Sequence, residues 1–333
     1  MLWLFIIQRV LYAIPVLLAV SLIMFGIFQL MPGTFCDEGL SSQRQRICKH
    51  LRERFGLDQP ALTQYVKWVE NIATRGDFGT SFAPPFPPAV DAVIGEGRLV
   101  NSLLIAGLTL FLALLIAAPT ALFSVIKPNS FGDRAFSMMC VLGLSVPNFL
   151  IGLLIVEVLV GWIQVGNRWG LPIGGLPNLA SAISSWSGFM AYLWHLWPVV
   201  LIAGSWQTAE VFRQLRGALL DVCGDPYWRS SFASARSAAQ RWKLYGHAVG
   251  SALGSLASWF GLWFPLMFEG TMIAAVVLNV PVMELAIWNA VRSENVYVAL
   301  TGLMILSTLL IVTNLIVDIF LAMGSNTRIR YEL

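Results

Sequence analysis

The chain has 333 residues, 57% of them hydrophobic and 12% charged, with a formal net charge of +3 and a mean hydropathy of +0.72. Soluble domains are usually about 45–50% apolar and about 25% charged, so this composition excludes a disordered chain, argues against a cytosolic globular enzyme and calls for lipid as part of the solvent. The small charge, diluted by 13 Trp and 20 Phe, gives no reason to expect nucleic acid, whereas indole rings suit the lipid–water boundary.

A helix crosses the hydrocarbon core with about 20 mainly apolar residues. Six stretches qualify, at 10–30, 99–126, 136–163, 196–212, 251–280 and 299–323. The first, VLYAIPVLLAVSLIMFGIFQL behind Arg9, is too long for a cleaved signal segment, and no A-x-A site follows it. The chain therefore divides into the N-terminus and first span (1–30), a polar segment (31–98), a five-helix core (99–323) that includes a cytoplasmic loop at 213–250, and a tail (324–333).

The 31–98 segment carries eight Lys/Arg and eight Asp/Glu, and a neutral loop of this length crosses the membrane largely regardless of charge. It reads as a small extracytoplasmic subdomain. Residues 42–55 form a polar surface helix, and Pro60 sits at the first turn of a second helix. In that helix Leu62, Tyr65, Val66, Trp68, Val69 and Ile72 recur at helical spacing. RGDFGTSFAPPFPP then gives an irregular segment, either a lid on the bundle mouth or a docking surface for an outside partner. Cys36 and Cys48 both fall in this exported part, and their pairing in an oxidising compartment is expected. Closing so short a loop contributes about 2–3 kcal/mol in the entropy model.

The fourth span is diluted by Gly204, Ser205, Gln207 and Glu210. Lys and Arg in the short loops orient the bundle. Arg9, Lys127, Arg134, Arg213, Arg216, Arg229, Arg236, Arg241, Lys243, Arg328 and Arg330 fall on one side, and only Arg168 and Arg292 on the other. The first side is cytoplasmic and holds both termini. Glu157, Glu210, Glu269 and Asp318 are the ionisable residues in or at spans. They are scattered, with no repeated spacing and no basic partner in view, so a proton relay is not favoured.

The sequence has no P-loop, no H-E-x-x-H and no G-x-S-x-G. His50, His195 and His247 fall in different segments and form no metal set. The chain is therefore read as non-catalytic. The informative stretch is 213–250, too polar for lipid. Ala233, Ala235, Arg236, Ala238 and Ala239 favour a helix there, and RWKLYGHAV follows to make a bent basic knob, either a solvated positive-inside loop or a surface for helix-in-groove docking to a cytosolic partner.

These residues resemble the permease subunit of binding-protein-dependent ABC importers of the dipeptide/oligopeptide/nickel class, of the first permease type. The likeness runs through the first span with Pro32-Gly33, and through Gly56, Leu57, Asp58, Pro60, Gln64, Tyr65, Gly76, Asp77, Gly79 and Ser81. It continues through LGLSVPNF at 142–149, GLPIGG at 170–175, and Asn314, Asp318, Arg328, Ile329, Arg330 and Tyr331. The chain is identified as a divergent member. Ser237 replaces the Gly of the family's coupling motif, a residue that permits positive φ or close approach. Val280-Pro281-Val282-Met283-Glu284 stands for Trp-Pro-Gly-Leu-Gly, and Ala275 for a usual Glu.

The resemblance implies an all-α polytopic membrane protein of the inner membrane. It would have six transmembrane helices of the type I ABC importer permease kind, with an extracytoplasmic helical insertion between the first two. It also implies ATPase-coupling residues Tyr227, Ala233, Ala235, Arg236, Ser237, Arg241 and His247, and an extracytoplasmic docking or gate set of Gly76, Asp77, Gly79 and Pro281. The partners would be a second homologous permease, two cytosolic ABC ATPases, an extracytoplasmic solute-binding protein and membrane lipid. No cofactor is expected on this chain, ATP and Mg belonging to the ATPases. Force from ATP must enter at 225–248, with the docking helix continuous with the fourth and fifth spans, to drive alternation between outward- and inward-facing states. RGDFGTSF and LGLSVPNF favour peptide as cargo. Nickel, opine, oligosaccharide, polyamine and cationic-peptide systems would look alike in this subunit. An ion-coupled secondary transporter would show inverted repeats, and none is visible.

Overall fold

The computed structural model describes residues 2–30, 49, 58–161 and 174–324. The expected Cys36–Cys48 pair, the 42–55 helix apart from Lys49, Pro32-Gly33, Gly56, Leu57, Arg168 and Arg328 to Tyr331 lie outside the described residues. What is described is helical, apart from one isolated antiparallel bridge between Thr80 and Pro88. The chain contacts fall into two compact units, one of residues 1–101 with 281–315, the other of 102–280 with 316–333.

In the first unit, α1 (Leu2–Leu30) is apolar nearly all round and exposes most of its side chains, as lipid contact requires. α2 (Ala61–Arg75) packs on it. Pro60 is the residue before this helix rather than its first turn. The buried residues of α2 are Gln64 and Trp68, and Leu62 and Val66 face outward although their spacing groups them with the inner stripe. The inner stripe is chosen by polar pairing as well as apolarity: the Tyr65 hydroxyl lies 2.8 Å from Ser21 Oγ, and Gln29 Nε2 donates to Gln64 Oε1. Phe25 meets both Tyr65 and Trp68. After the irregular segment come α3 (Ala89–Ile94) and the start of α4 (Arg98–Ile126). α11 (Met283–Arg292), packed on α3, and the first part of α12 (Val296–Gly324) complete the unit.

The second unit is built around α8 (Trp186–Gly224), against which α5 (Phe131–Ser145), α6 (Asn148–Gly161), the short α7 (Leu179–Ala182), α9 (Pro226–Ser234) and α10 (Ala238–Leu278) all pack. Small residues let these backbones approach, the usual device where lipid supplies no hydrophobic drive between helices. A Cβ on Gly143 of α5 would lie 2.9 Å from Ala209 Cβ, and one on Gly270 of α10 would lie 3.1 Å from the Ala203 carbonyl oxygen. Ala113, Ala117 and Ala121 of α4 line the same core, which also holds Leu215 and Leu219 of α8 and Ala252 of α10.

Among the described residues four helices are long and apolar enough to cross a membrane, and two bent pairs bring the number to as many as six. The expected third span is broken: α5 and α6 meet at 98°, and the break falls at Val146-Pro147. Proline removes a helix donor and pushes the residue before it out of the helical region, and Val146 is extended (φ −86°, ψ 120°). The fifth stretch breaks after Leu278, where Asn279 takes the left-handed region (φ 50°), and α11 follows it in the chain. The fourth is longer than expected, because α8 runs 39 residues and turns its polar residues inward.

Candidate functional site

The cytoplasmic loop expected at 213–250 is mostly helix. α8 ends at Gly224, and Asp225 caps α9 by accepting from the Tyr227 N–H at 2.7 Å, with Pro226 at the first helical position. Proline fits there because its missing N–H would be unpaired in any case. α9 ends at Ser234. The expected alanine-rich helix therefore breaks within the motif: Ala235, Arg236 and Ser237 form an elbow, and α10 begins at Ala238. Nor is the docking helix continuous with its neighbours. One residue separates it from α8 and three from α10.

Ser237 gives the elbow its second cap. Its Oγ accepts from the Gln240 N–H at 3.2 Å, and Gln240 Oε1 accepts in turn from the backbone N–H groups of Ser237 (3.2 Å) and Arg236 (2.7 Å). This is a capping box. Ser237 is extended (φ −130°, ψ 156°), so the elbow needs no glycine backbone, and the replacement supplies a capping hydroxyl instead.

The inner face of α9 is aromatic. Trp228 and Phe232 stack with ring centroids 4.8 Å apart and 13° between planes. Both meet Tyr245 of α10, at 5.7 and 5.4 Å, and the Arg241 guanidinium lies over the Phe232 ring at 5.4 Å. Burial pushes the Tyr245 phenol above its ordinary value, with the nearby Cys223 thiol adding to the shift and Arg241 opposing it. The outer face is open at Tyr227, 81% exposed, and at Ala233; Arg236 and Ser237 of the elbow and Arg241 and His247 of α10 are also exposed, and Ala235 is half-buried. All seven expected coupling residues thus fall in and around one capped elbow. The sequence reading missed Trp228, Phe232, Tyr245, Asp225 and Gln240. The Asp-Pro pair at 225–226 and the Ser-x-x-Gln at 237–240 were visible signals for two of the caps.

A clasp ties the turn before α5 to α8. Asp133 Oδ2 accepts from the Asn129 N–H at 2.9 Å, and Arg216 Nη2 donates to Asp133 Oδ1 at 3.1 Å. Glu210, expected to lack a basic partner, has one a helical turn away: Arg213 Nη2 reaches both of its carboxylate oxygens at 2.7 and 2.8 Å, and Gln214 adds a third bond.

The four extracytoplasmic residues lie in the first unit. Gly76 caps α2 in the left-handed conformation (φ 64°), with its N–H on the Ile72 carbonyl and the Asp77 N–H on that of Asn71. Asp77 Oδ1 accepts from the Gly79 N–H. Trp68 Nε1 donates to the Phe78 carbonyl, and Gly79 is buried against Tyr297. Asn295 Nδ2 donates to Ser81 Oγ, while its Oδ1 accepts from the Phe82 N–H. Pro281, half-buried, accepts at its carbonyl from Asn101 Nδ2 at 2.8 Å, and Val282, Met283 and Glu284 beside it are buried. The exposed residues of the 75–88 segment are Arg75, Gly76, the turn at 83–86 and Pro88. Asn295 and Tyr297, more than 200 residues from the loop they hold, carry no short-range signal.

Residues 110–324 match the family described as binding-protein-dependent transport system inner membrane component. Residues 1–114 match its N-terminal counterpart, binding-protein-dependent transport system membrane component, N-terminal. The chain is 29% identical over 330 residues to the oligopeptide transport system permease protein AppB of Bacillus subtilis, which covers 98% of this chain and 99% of that protein. It is 27% identical over 329 residues to the probable peptide ABC transporter permease protein y4tP of Sinorhizobium fredii, with the same coverage. With the glutathione transport system permease protein GsiC of Escherichia coli it shares 25% over 330 residues, again at 98% and 99%.

Proposed function

Because the chain belongs to the family of binding-protein-dependent transport system inner membrane components, we propose that it is the permease subunit of an ABC importer of peptides. The observation that carries this reading is the capped α9–α10 elbow, with one face closed by aromatic packing and the other open for a partner. A chain with no nucleotide-binding motif needs such a rigid entry point for force generated elsewhere. The names of its relatives, which refer to oligopeptide, peptide and glutathione transport, support peptide as cargo.

In this reading six spans cross the inner membrane, α5 with α6 and the outer part of α10 with α11 each serving as one bent span. Residues 31–98 form an extracytoplasmic insertion after the first span. The excess of Lys and Arg puts both termini and the elbow in the cytoplasm. An exported binding protein delivers the peptide, with Gly76, Asp77, Gly79, Pro281 and the turn at 83–86 near the entry. A second homologous permease completes the pore. Two cytosolic ATPases, which hold ATP and Mg, engage Tyr227, Ala233, Ala235, Arg236, Ser237, Arg241 and His247. This chain catalyses nothing itself.

The test is purification of the tagged chain from its native membrane, followed by peptide uptake in proteoliposomes. A second permease and ATPase subunits are expected to copurify, and uptake should require ATP and the binding protein. Purification of the chain without any ATPase, or uptake driven by an ion gradient alone, would overturn the reading.

A further inference from the structure

We propose that Trp228, Phe232 and Tyr245 are positioning residues that lock α9 onto the start of α10, so that a displacement of α9 is delivered into α10. The inference rests on the coupling role of the elbow proposed above. The two connections cannot carry a stroke by themselves. Asp225 (ψ 134°), Ala235 (ψ 114°) and Ser237 (ψ 156°) are extended, and each leaves soft backbone torsions between the helices. A nine-residue helix is also shorter than the roughly 12–15 residues that persist alone in water, so side-chain contacts must hold α9 in place.

Those contacts are the rings. Trp228 and Phe232 stand four residues apart, on one face of α9, and both reach Tyr245, two turns into α10. Trp242 adds a fourth ring against Tyr245 at 6.0 Å. The Trp228 Nε1 is buried and has no hydrogen-bond partner among the described residues, so ring packing rather than polar bonding seats the indole. Trp228 also lies against the core shared by α8 and α10. Beyond Tyr245, α10 continues as one helix to Leu278, 41 residues and about 60 Å from its start. The set closes the soft joint on one face of α9 and leaves Tyr227 exposed on the other.

The test uses the whole complex in proteoliposomes with its binding protein, and reads peptide taken up per ATP hydrolysed. In Phe232→Ala and Tyr245→Ala the ATPase subunits are expected to copurify as in the parent, while uptake per ATP falls about tenfold. Tyr245→Phe, which keeps the ring, is expected to retain the parent ratio. If Phe232→Ala does not accumulate, Phe232→Leu, apolar but without a ring, is read by the same criteria. An unchanged ratio in the ring-removing variants overturns the proposal, as does loss of the ATPase subunits, which would make the rings part of the docking surface. Failure of the parent chain itself to capture an ATPase would instead remove the coupling reading beneath it.

Discussion

Gly79 lies directly against Tyr297: a methyl group on its α-carbon would stand 2.8 Å from Tyr297 Cγ and 3.0 Å from Cβ. The first residues of the last long helix thus provide the floor on which the Gly-Asp-x-Gly loop is laid. Asn295 fixes Ser81 and Phe82 beyond it, and the Phe82 ring meets the Tyr297 ring edge-on at 5.6 Å. A motif whose Gly and Asp suggest a flexible tip is anchored at Gly79, while Gly76 and the turn at 83–86 are exposed.

Gly79→Ala should therefore be costly. It combines φ +100° with a ring contact that has no room to give, and the expected loss is about 2–4 kcal/mol. Gly76→Ala also has positive φ (+64°) but meets nothing within 4 Å, and about 1 kcal/mol is expected. Thermal unfolding of the detergent-purified chain orders the two. Equal losses would mean that the Tyr297 contact does not constrain the loop.

Ser237→Ala removes the hydroxyl that caps α10 and should cost about 1 kcal/mol, whereas Ser237→Gly should cost only a few tenths. Uptake in proteoliposomes is expected to fall for Ala and to hold for Gly, the residue that the family motif carries at this point. Better uptake with Ala than with Gly would show that the cap is not what the elbow uses.

Much of the helical architecture was legible in the sequence, because lipid imposes its own pattern: long apolar runs are a signal that tertiary packing does not override. The break at Val146-Pro147 was legible too, had the proline been weighed against the length of the apolar run. The elbow falls within 213–250 but interrupts the helix expected there: Ala233, Ala235 and Ala238 have high propensity, while the Ser237–Gln240 cap, which starts a new helix, depends on side-chain bonding. The inner stripe of α2 was misjudged because Ser21 and Gln29 of α1 offer partners to Tyr65 and Gln64 that apolar Leu62 and Val66 cannot use. The anchoring of 79–82 by Asn295 and Tyr297 joins distant parts of the chain, and no local pattern encodes it.

Arg216→Met should loosen the clasp at Asp133. The Asp133 side chain is only 7% exposed and would keep the Asn129 N–H but lose its cation. Because Arg216 is itself about a third exposed, the expected cost is discounted to about 1–3 kcal/mol. Asp133→Asn, which retains an acceptor for Asn129, should cost less. An Arg216→Met protein that melts with the parent would show that water replaces the guanidinium without loss.

Cys36 and Cys48 are expected to be joined when the protein matures in an oxidising compartment. Mass spectrometry of non-reduced peptides should find them linked, and reduction should lower thermal stability by about 2–3 kcal/mol. Two alkylatable thiols in freshly isolated membranes would rule the pairing out.

Ala235→Glu tests the elbow from its outer side. Ala235 is half-buried between the end of α9 and the cap of α10, and its N–H bonds the Phe232 carbonyl. The backbone there is already extended (φ −69°, ψ 114°), so glutamate meets no torsional objection and the chain should still insert. What changes is the surface: a carboxylate appears beside Arg236, at the place where a partner would otherwise meet a methyl group and the backbone behind it. The expected result is normal abundance in the membrane, at least tenfold weaker capture of the ATPase subunits (about 1.4 kcal/mol) and a matching loss of uptake. Ala235→Ser, small and uncharged, should behave as the parent. Full ATPase capture and uptake in Ala235→Glu would mean that the motor is seated elsewhere on the chain, and the assignment of this elbow would be abandoned.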